Sequence, residues 1–450
     1  MTRLAYLSRL CLGLAATLLV ASLGVAVAQD APSSLNRIDL VRPDAPELTP
    51  YGDYTIGVRT LELVDEGRLD IVNATEGEPT PTYDRPLTVE VWYPAALPEG
   101  TDPRGSYTVI TRDGETEATI TGRAIRDAEP LMADAPYPLV IISHGYPGNR
   151  YLMSHLGENL ASKGYVTVSI DHTDSTYSDQ AAFGSTLLNR PLDQLFVLDE
   201  MDRLSQADSG SFLAELLDAD QTGIVGYSMG GYGVVNLLGG GFTEASVDFG
   251  YAPPNDALAV RSASNPDYQA QYQDGADPRI QAAIAIGPWG MNTGFWDAEG
   301  LSGVRTPIMF MAGGSDDVSG YENGIRAIFE GAVNAERYLL TFENANHNAA
   351  APMPAPDVTY DNGTFDHYGD AVWDTARMNN IAQHFATAYF GLHLKDDAAM
   401  QAYLDLVEES EVGVWSVDDA GVPTDEHSYW NGFPNRTAVG LSMRYGAGQE

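Results

Sequence analysis

The stretch that most constrains the fold of this chain is Gly226-Tyr227-Ser228-Met229-Gly230-Gly231. An apolar run at 222–225 precedes it, and a second apolar run begins at Tyr232. A serine between glycines, with a strand before it and a helix after it, is typical of a sharp turn, because glycine lets the backbone bend and the two elements pack closely. The pattern predicts that Ser228 lies exposed at a helix N-terminus, with its hydroxyl free to attack a carbonyl carbon.

Buried strands and helices alternate on both sides of this turn. Apolar runs typical of parallel strands lie at 138–143, 165–170, 222–227, 282–286, 307–311 and 337–342, the last strand of the series. Helical stretches lie between or after them, at 154–163, 192–204, 325–329 and 376–390. Such a βαβ series predicts an α/β fold, with a mostly parallel sheet and helices on both of its faces.

The residues before this series alternate between apolar and polar side chains. The alternation at 54–63 and at 87–93 predicts two half-buried strands that pair antiparallel at the edge of the sheet. Residues 108–124 predict a further hairpin around Asp113-Gly114.

The rest of the chain falls outside this pattern. A Pro-rich lead at 29–50 precedes the α/β domain, which we place at 51–394. Within the domain, the polar stretch at 240–278 is either a lid or wall of the substrate cleft, or a plain surface insertion. The C-terminal extension at 395–450 begins helically, and the sequence does not assign its Gly- and Asn-rich end to any element of the fold.

The first residues have the pattern of a secretory signal peptide. Arg3 and Arg9 supply its positive region, residues 10–27 are apolar, and Ala26-Val27-Ala28 is a small-residue cleavage site. We therefore expect a secreted or periplasmic protein that is cleaved after Ala28. The only cysteine, Cys11, lies inside this segment, so the mature chain is expected to fold without disulfides.

The chain is strongly acidic. Its formal net charge is −39, and loss of a signal peptide that carries Arg3 and Arg9 makes the charge more negative. Such a surface repels nucleic acids and anionic membranes, and it keeps a protein soluble.

No other stretch is long and apolar enough to cross a bilayer, so we expect no membrane insertion after cleavage. The many carboxylates leave open whether the protein binds a calcium ion loosely, although none of their spacings is that of an EF-hand. The sequence leaves the oligomeric state undetermined.

A serine nucleophile needs a base, a carboxylate that orients the base, and donors for the oxyanion. The candidate base is His347, which follows the strand at 337–342. The candidate carboxylate is Asp316, with Asp317 as the alternative, since both follow the strand at 307–311. The chain order serine, aspartate, histidine differs from that of the two commonest protease arrangements.

The loop after the strand at 138–143 supplies further candidates. The backbone N–H groups of Met229 and Tyr146 are expected to form the oxyanion hole, and His144 is expected to hold the loop by hydrogen bonds. Asp171, His172 and Asp174 also cluster after a strand. Because their spacing is not that of a strong metal motif, we expect them to stabilise loops or line the pocket.

These motifs resemble those of serine hydrolases of the α/β-hydrolase superfamily. The matching residues are Ser143-His144-Gly145-Tyr146-Pro147-Gly148, the Gly226 to Gly231 turn, Gly313 to Asp316, and Asn346-His347. The resemblance covers roughly residues 51–394 and implies an α/β-hydrolase fold that needs no cofactor.

Two branches of that superfamily share further residues with this chain. Leu160 to Tyr165 and Ile170 to Asp174 resemble the platelet-activating-factor acetylhydrolase-like branch, often labelled dienelactone-hydrolase-like. The acetylhydrolases carry their acid after the strand that follows the nucleophile helix, where this chain has Ile286-Gly287-Pro288-Trp289. Gly145-Tyr146, Ser228-Met229 and Pro288-Trp289 are similar to bacterial cutinases and polyester hydrolases. The second resemblance implies that Tyr146 and Trp289 clamp the acyl group, and ordinary core packing is the alternative for Trp289.

The sequence therefore predicts a secreted serine carboxylic-ester hydrolase that acts on a small or polymeric ester through an acyl-enzyme. The alternatives are an acetylhydrolase of the platelet-activating-factor type, a polyester or cutinase-like hydrolase, and a hydrolase fold used only for binding.

Overall fold

Within the residues that the structure describes, eleven strands form one mixed sheet, and a separate two-stranded hairpin packs beside it. The computed structural model describes residues 36–449 apart from 99, 101, 103, 182 and 272–275. The predicted signal peptide and its cleavage site at Ala28 lie outside these residues.

The strands, in chain order, are β1 (Thr55–Leu69), β2 (Thr82–Ala96), β3 (Gly105–Ile110), β4 (Glu117–Gly122), β5 (Ala124–Arg126), β6 (Glu129–Pro130), β7 (Tyr137–Ser143), β8 (Val166–Asp171), β9 (Leu217–Tyr227), β10 (Ile280–Ile286), β11 (Ile308–Gly313), β12 (Arg337–Phe342) and β13 (Leu441–Gly446). The α-helices are α1 (Ser154–Ala161), α2 (Phe183–Ser205), α3 (Met229–Leu237), α4 (Glu244–Val247), α5 (Pro266–Gln271), α6 (Ala298–Leu301), α7 (Arg326–Gly331), α8 (Val358–Asn362) and α9 (Thr375–Leu394).

The order of strands in the large sheet is β13-β12-β11-β10-β9-β7-β8-β2-β1-β5, with β6 paired to β2. Strands β7 to β12 are parallel to one another, whereas β1 and β2 are antiparallel, as are β2 and β8. The predicted α/β fold with an antiparallel N-terminal edge is therefore confirmed. The hairpin predicted around Asp113-Gly114 is also present, as β3 and β4.

Side chains of the central strands are buried on both faces of the sheet. In β7, Val140 and Ile142 pack into the core under α1 and α9, and Leu139 and Ile141 pack into the core under α2, α3 and α7. This burial explains why the strand is apolar at every position rather than at alternate ones. Among the described residues, none of the helices is both long and apolar enough to cross a bilayer.

Two predicted elements differ from the structure. The prediction that 337–342 is the last strand is wrong, because β13 of the C-terminal extension pairs antiparallel with β12. Helix α2 begins at Phe183, well before the predicted start at 192, and it contains Pro191 in its interior. A proline is more often found in the first turn.

The described residues of the stretch at 240–278 include several short helices. It carries α4, a turn of 3₁₀-helix at Ala259–Arg261, and α5. Phe249 of this stretch lies 6.2 Å from the ring of Trp289 and 5.3 Å from that of Phe295. The insertion therefore packs against the residues that follow β10, close to the candidate site.

Candidate active site

Ser228 lies at the sharp turn between β9 and α3, as the glycine pattern predicts. Its backbone has a φ of 53° and a ψ of −113°, a conformation that is costly for a residue with a side chain. The flanking glycines make the turn possible. A Cβ on Gly226 would lie 2.3 Å from the carbonyl oxygen of Gly230, and one on Gly230 would lie 2.0 Å from that of Ser143.

The structure brings Ser228, His347 and Asp316 together in one chain of hydrogen bonds. Ser228 Oγ lies 2.9 Å from His347 Nε2, and His347 Nδ1 lies 2.8 Å from Asp316 Oδ2. Because the carboxylate accepts from Nδ1–H, Nε2 is left to accept the proton of the serine hydroxyl. The arrangement can remove a proton from Ser228 as its oxygen attacks an electrophile.

Asp316 is held as an ionised carboxylate. Its Oδ1 accepts hydrogen bonds from the backbone N–H groups of Val318 at 2.9 Å and Ser319 at 2.7 Å. Burial favours the neutral acid, but the hydrogen bond from His347 and these two amides hold the pKa of Asp316 below its ordinary value. The negative charge therefore faces the ring that would become an imidazolium.

The structure separates the two candidate acids. Asp316 points inward to His347, whereas the next residue, Asp317, is exposed and lines the cavity in front of Ser228. Asp317 is therefore a surface carboxylate at the mouth of the site.

The two peptide groups predicted to form the oxyanion hole have their carbonyls turned away and bonded. Ser228 O accepts from the N–H of Tyr232 at 2.9 Å and of Trp289 at 3.2 Å, and Gly145 O lies 2.7 Å from His144 Nδ1. In a trans peptide the N–H points opposite to the C=O. Among the described residues, neither Met229 N–H nor Tyr146 N–H has an acceptor, so both remain available to a ligand.

A second Ser–His–Asp set lies directly behind this loop. Ser143 Oγ is 2.8 Å from His172 Nε2, and His172 Nδ1 is 3.0 Å from Asp193 Oδ2. All three side chains are buried, and Asp193 also binds Arg85 through both carboxylate oxygens. Burial lowers the pKa of His172 to about 3, so the ring stays neutral. This set connects strands and helices, and it has no access to a substrate.

Asp171 ends β8, and it and the polar residues that follow it make hydrogen bonds to neighbouring loops and strands. Asp171 accepts from Arg150, Asp174 accepts from Arg85, and His172 N–H donates to His144 Nε2 at 3.3 Å. Within the described part of the chain, no group of His, Cys, Asp or Glu side chains is arranged to hold a metal ion.

A cavity of about 530 Å³ opens in front of Ser228 and His347. Several of its lining residues were not singled out in the sequence: Arg112, Asn348, Phe365, Asp366, His367, Gly369, Asp370 and Ala371. Most of them come from the segment between β12 and α9, which carries aromatic and acidic residues but none of the spacings of a motif. His367 Nε2 lies 2.7 Å from the hydroxyl of Tyr177. Burial and the charge of Arg112 lower the pKa of His367 to about 3, so it lines the cavity as a neutral ring.

The two aromatic residues predicted to clamp an acyl group lie on either side of a third. Tyr146 lines the cavity, and its ring is 5.1 Å from that of Phe183, which in turn is 5.4 Å from Trp289. Trp289 is half-buried and also packs on Phe295 at 5.3 Å. Its geometry therefore combines core packing with a position beside Ser228, to which its backbone N–H is bonded.

Comparisons with known proteins agree with this fold and these motifs. A family model described as PET hydrolase-like matches residues 103–241, which include Tyr146 and Ser228 but not Asp316 or His347. Cutinase est1 of Thermobifida alba is 23% identical over 214 residues, or 47% of this chain and 54% of that protein. A bis(hydroxyethyl) terephthalate hydrolase of Streptomyces coelicolor is 23% identical over 216 residues, or 48% of this chain and 52% of that protein.

The chain thus spans about half the length of these curated relatives. A solved structure of a ferulic acid esterase from Streptomyces cinnamoneus extends the likeness to most of the fold. Its TM-score is 0.51 at 22% identity, over 80% of this chain and 94% of that chain. The chain therefore has the α/β-hydrolase fold, and it is distantly similar to PET hydrolases and cutinases over about half of its length.

Proposed function

We propose that the protein hydrolyses carboxylic esters through an acyl-enzyme formed on Ser228. The observation that carries the proposal is the chain of hydrogen bonds from Ser228 Oγ through His347 to the ionised Asp316, at the floor of an open cavity. A fold kept only for binding would have no need of this arrangement.

The reaction follows from the geometry. His347 Nε2 takes the hydroxyl proton as Ser228 Oγ attacks the ester carbonyl, and the developing oxyanion is bound by the N–H groups of Met229 and Tyr146. The protonated His347, stabilised by Asp316, then gives its proton to the leaving alcohol. A water molecule, deprotonated by the same nitrogen, cleaves the acyl-enzyme and restores the serine.

Within this class, we favour a cutinase-like or polyester-type substrate over an acetyl ester of the platelet-activating-factor type. The acid that reaches His347 follows β11, whereas the acetylhydrolase pattern places it after β10. The named activities of the relatives, a cutinase and a bis(hydroxyethyl) terephthalate hydrolase, point the same way.

Hydrolysis of p-nitrophenyl esters from acetyl to decanoyl tests the proposal, with Ser228→Ala as the inactive variant. A fluorophosphonate probe followed by peptide mapping locates the nucleophile. We expect the label on Ser228, and none on Ser143 of the buried Ser–His–Asp set. A folded wild type that neither turns over any of these esters nor takes the label would instead support a binding protein.

The chain-length profile then resolves the substrate class. A strict preference for acetyl supports the acetylhydrolase alternative, and activity on longer acyl groups and on an aromatic diester supports the cutinase-like one.

We also propose that the enzyme is exported, because residues 1–28 have the pattern of a signal peptide. N-terminal sequencing of the protein from culture supernatant and periplasm tests this, and a mature chain that begins at Gln29 is the expected result.

A further inference from the structure

A fully buried arginine lies beneath the loop that carries the candidate oxyanion amide. Arg190 is in the middle of α2, and its side chain is among the largest fully buried ones of the protein. Among the described residues, none of the carboxylates is within ion-pair distance of its guanidinium. The nearby Asp193, on the same helix, is bound to Arg85 and His172 instead. A buried cation without an anionic partner is costly, so its hydrogen bonds need an explanation.

The two terminal nitrogens of Arg190 donate to the loop and to Ser175, whereas its Nε has no hydrogen-bond partner among the described residues. Nη1 donates to the carbonyl of His144, and Nη2 donates to Ser175 Oγ and, at 3.4 Å, to the carbonyl of Gly145. His144 Nδ1 donates to the same Gly145 carbonyl at 2.7 Å. The two successive carbonyls of the loop are therefore both held on the side of α2.

The direction of these carbonyls fixes the direction of the amide. The peptide between Gly145 and Tyr146 is trans, so its N–H points opposite to the carbonyl that Arg190 and His144 hold. Gly145 lies against the nucleophile, since a Cβ placed on it would be 3.2 Å from Ser228 Cβ. The Tyr146 N–H is thereby presented on the side of Ser228.

The same face of α2 also holds the nucleophile turn. Gln194, one helical turn after Arg190, donates from Nε2 to Gly230 O at 3.0 Å. Gly233 of α3 leaves room for both side chains, because a Cβ there would lie 2.6 Å from Gln194 Nε2 and 2.7 Å from Arg190 Cγ. Helix α2 thus contacts the backbone on both sides of the predicted oxyanion hole.

We propose that Arg190 is a positioning residue for the oxyanion hole: it holds the His144 and Gly145 carbonyls so that the Tyr146 N–H is already aimed at the oxyanion. The inference rests on the proposed ester hydrolysis at Ser228. Donors that are fixed in place before the reaction stabilise the transition state more than the bound substrate, so the effect belongs in kcat rather than in KM.

The test compares Arg190→Met, which keeps the volume and removes all donors, with Arg190→Lys, which keeps the charge and a single donor group. The matched control is Arg261→Met, because Arg261 is also buried and donates to a backbone carbonyl, Asn236 O, away from the loop. Three quantities are measured for each variant: kcat and KM on p-nitrophenyl butyrate, the Ki of phenylboronic acid, whose tetrahedral adduct occupies the oxyanion hole, and the melting temperature.

Loss of one oxyanion donor lowers kcat roughly 100- to 1000-fold, so a donor that is present but poorly aimed should cost about 10- to 100-fold. We expect that fall in kcat for Arg190→Met, with KM within about two-fold, a matching rise in the Ki of the boronic acid, and partial recovery in Arg190→Lys. Arg261→Met is expected to keep kcat and Ki even if its melting temperature falls.

Two results would overturn the inference. One is a folded Arg190→Met variant with unchanged kcat and Ki. The other is a fall in kcat that the Ki of the boronic acid does not follow, since the oxyanion hole would then be intact. Should Arg190→Met fail to fold, Arg190→Lys alone decides by the same readouts. Failure of the proposed function is distinct, because it would leave the wild type without turnover or label.

Discussion

Two Ser–His–Asp sets lie within one molecule, and their surroundings separate their roles. Ser228 has 7% of its surface exposed, at the floor of a cavity, whereas Ser143 is fully enclosed. Both serines are within hydrogen-bond distance of a histidine that contacts an aspartate. Side-chain geometry alone therefore does not identify a nucleophile. A nucleophile is identified by its access to the cavity, by its strained backbone and by the free N–H groups beside it.

The two adjacent aspartates after β11 provide a sharp test of the candidate triad. We expect Asp316→Asn to lower kcat on p-nitrophenyl butyrate by roughly 1000- to 10,000-fold, because an amide in place of the carboxylate favours the wrong tautomer of His347. Asp317→Asn is its matched control and should stay within about three-fold of wild type, since its side chain is exposed. Equal losses in the two variants would contradict the assignment.

A buried histidine that does not line the cavity makes stability depend on pH. His155 of α1 is buried, its Nδ1 has no hydrogen-bond partner among the described residues, and burial lowers its pKa to about 3. Its folded pKa lies below the value of about 6.5 for an unfolded histidine. As the pH falls from about 6.5 towards 3, the unfolded chain takes up a proton that the folded protein does not, and stability is lost.

We therefore expect His155→Gln to flatten the pH dependence of folding. Below pH 6 the free energy of unfolding of wild type should fall relative to that of the variant by about 1.4 kcal/mol per pH unit. Urea unfolding at pH 7.5, 6.0, 5.0 and 4.5 measures both proteins. Parallel profiles over this range would show that the ring is protonated in the folded state.

Sequence patterns predicted the candidate residues whose proposed roles follow from local spacing. The glycine turn marked Ser228, and the position after a predicted strand marked His347. Spacing did not distinguish firmly between Asp316 and Asp317, because a shift of one residue changes which of the two side chains faces inward. It did not reveal Arg190, whose contacts to the His144 loop depend on how α2 packs beneath that loop.

At the scale of elements, the central strands could be predicted because each is buried on both faces and therefore apolar throughout. The last strand, β13, was missed because it follows a long irregular stretch. Apolar side chains do occupy every second position of this strand, at Leu441, Met443 and Tyr445. The first two are buried, and Tyr445 is exposed. The alternation was the available signal, but nothing in the chain indicated that its partner would be β12.

The contribution of β13 can be measured by comparing two nearby side chains of the extension. Leu441 is 1% exposed and packs into the core under α9, whereas Val439 is 48% exposed. We expect Leu441→Ala to lower the free energy of unfolding by about 2 to 4 kcal/mol, because it leaves a cavity. Val439→Ala should change it by less than about 1 kcal/mol. If Leu441→Ala behaved like Val439→Ala in urea unfolding, the strand would add little to the fold.

For the whole molecule, composition indicated the character of the surface but not its consequences for folding. The formal net charge is −39, and many of the exposed carboxylates have no described ion pair, among them Asp419, Asp425 and Glu426. Repulsion between such groups favours expanded states and so opposes folding. The range of that repulsion falls from about 10 Å at 0.1 M salt to about 3 Å at 1 M.

We therefore expect the melting temperature to rise by several degrees between 0.05 and 1 M NaCl, and KCl to give the same rise, because screening depends on ionic strength rather than on the cation. A variant with Asp419→Asn, Asp425→Asn and Glu426→Gln carries fewer repelling charges. It should melt at a higher temperature than wild type in low salt, with a smaller rise as salt is added. Differential scanning calorimetry of both proteins measures these quantities. A flat or falling melting temperature in wild type would mean that the acidic surface is already compensated locally, and that charge repulsion does not limit the stability of this fold.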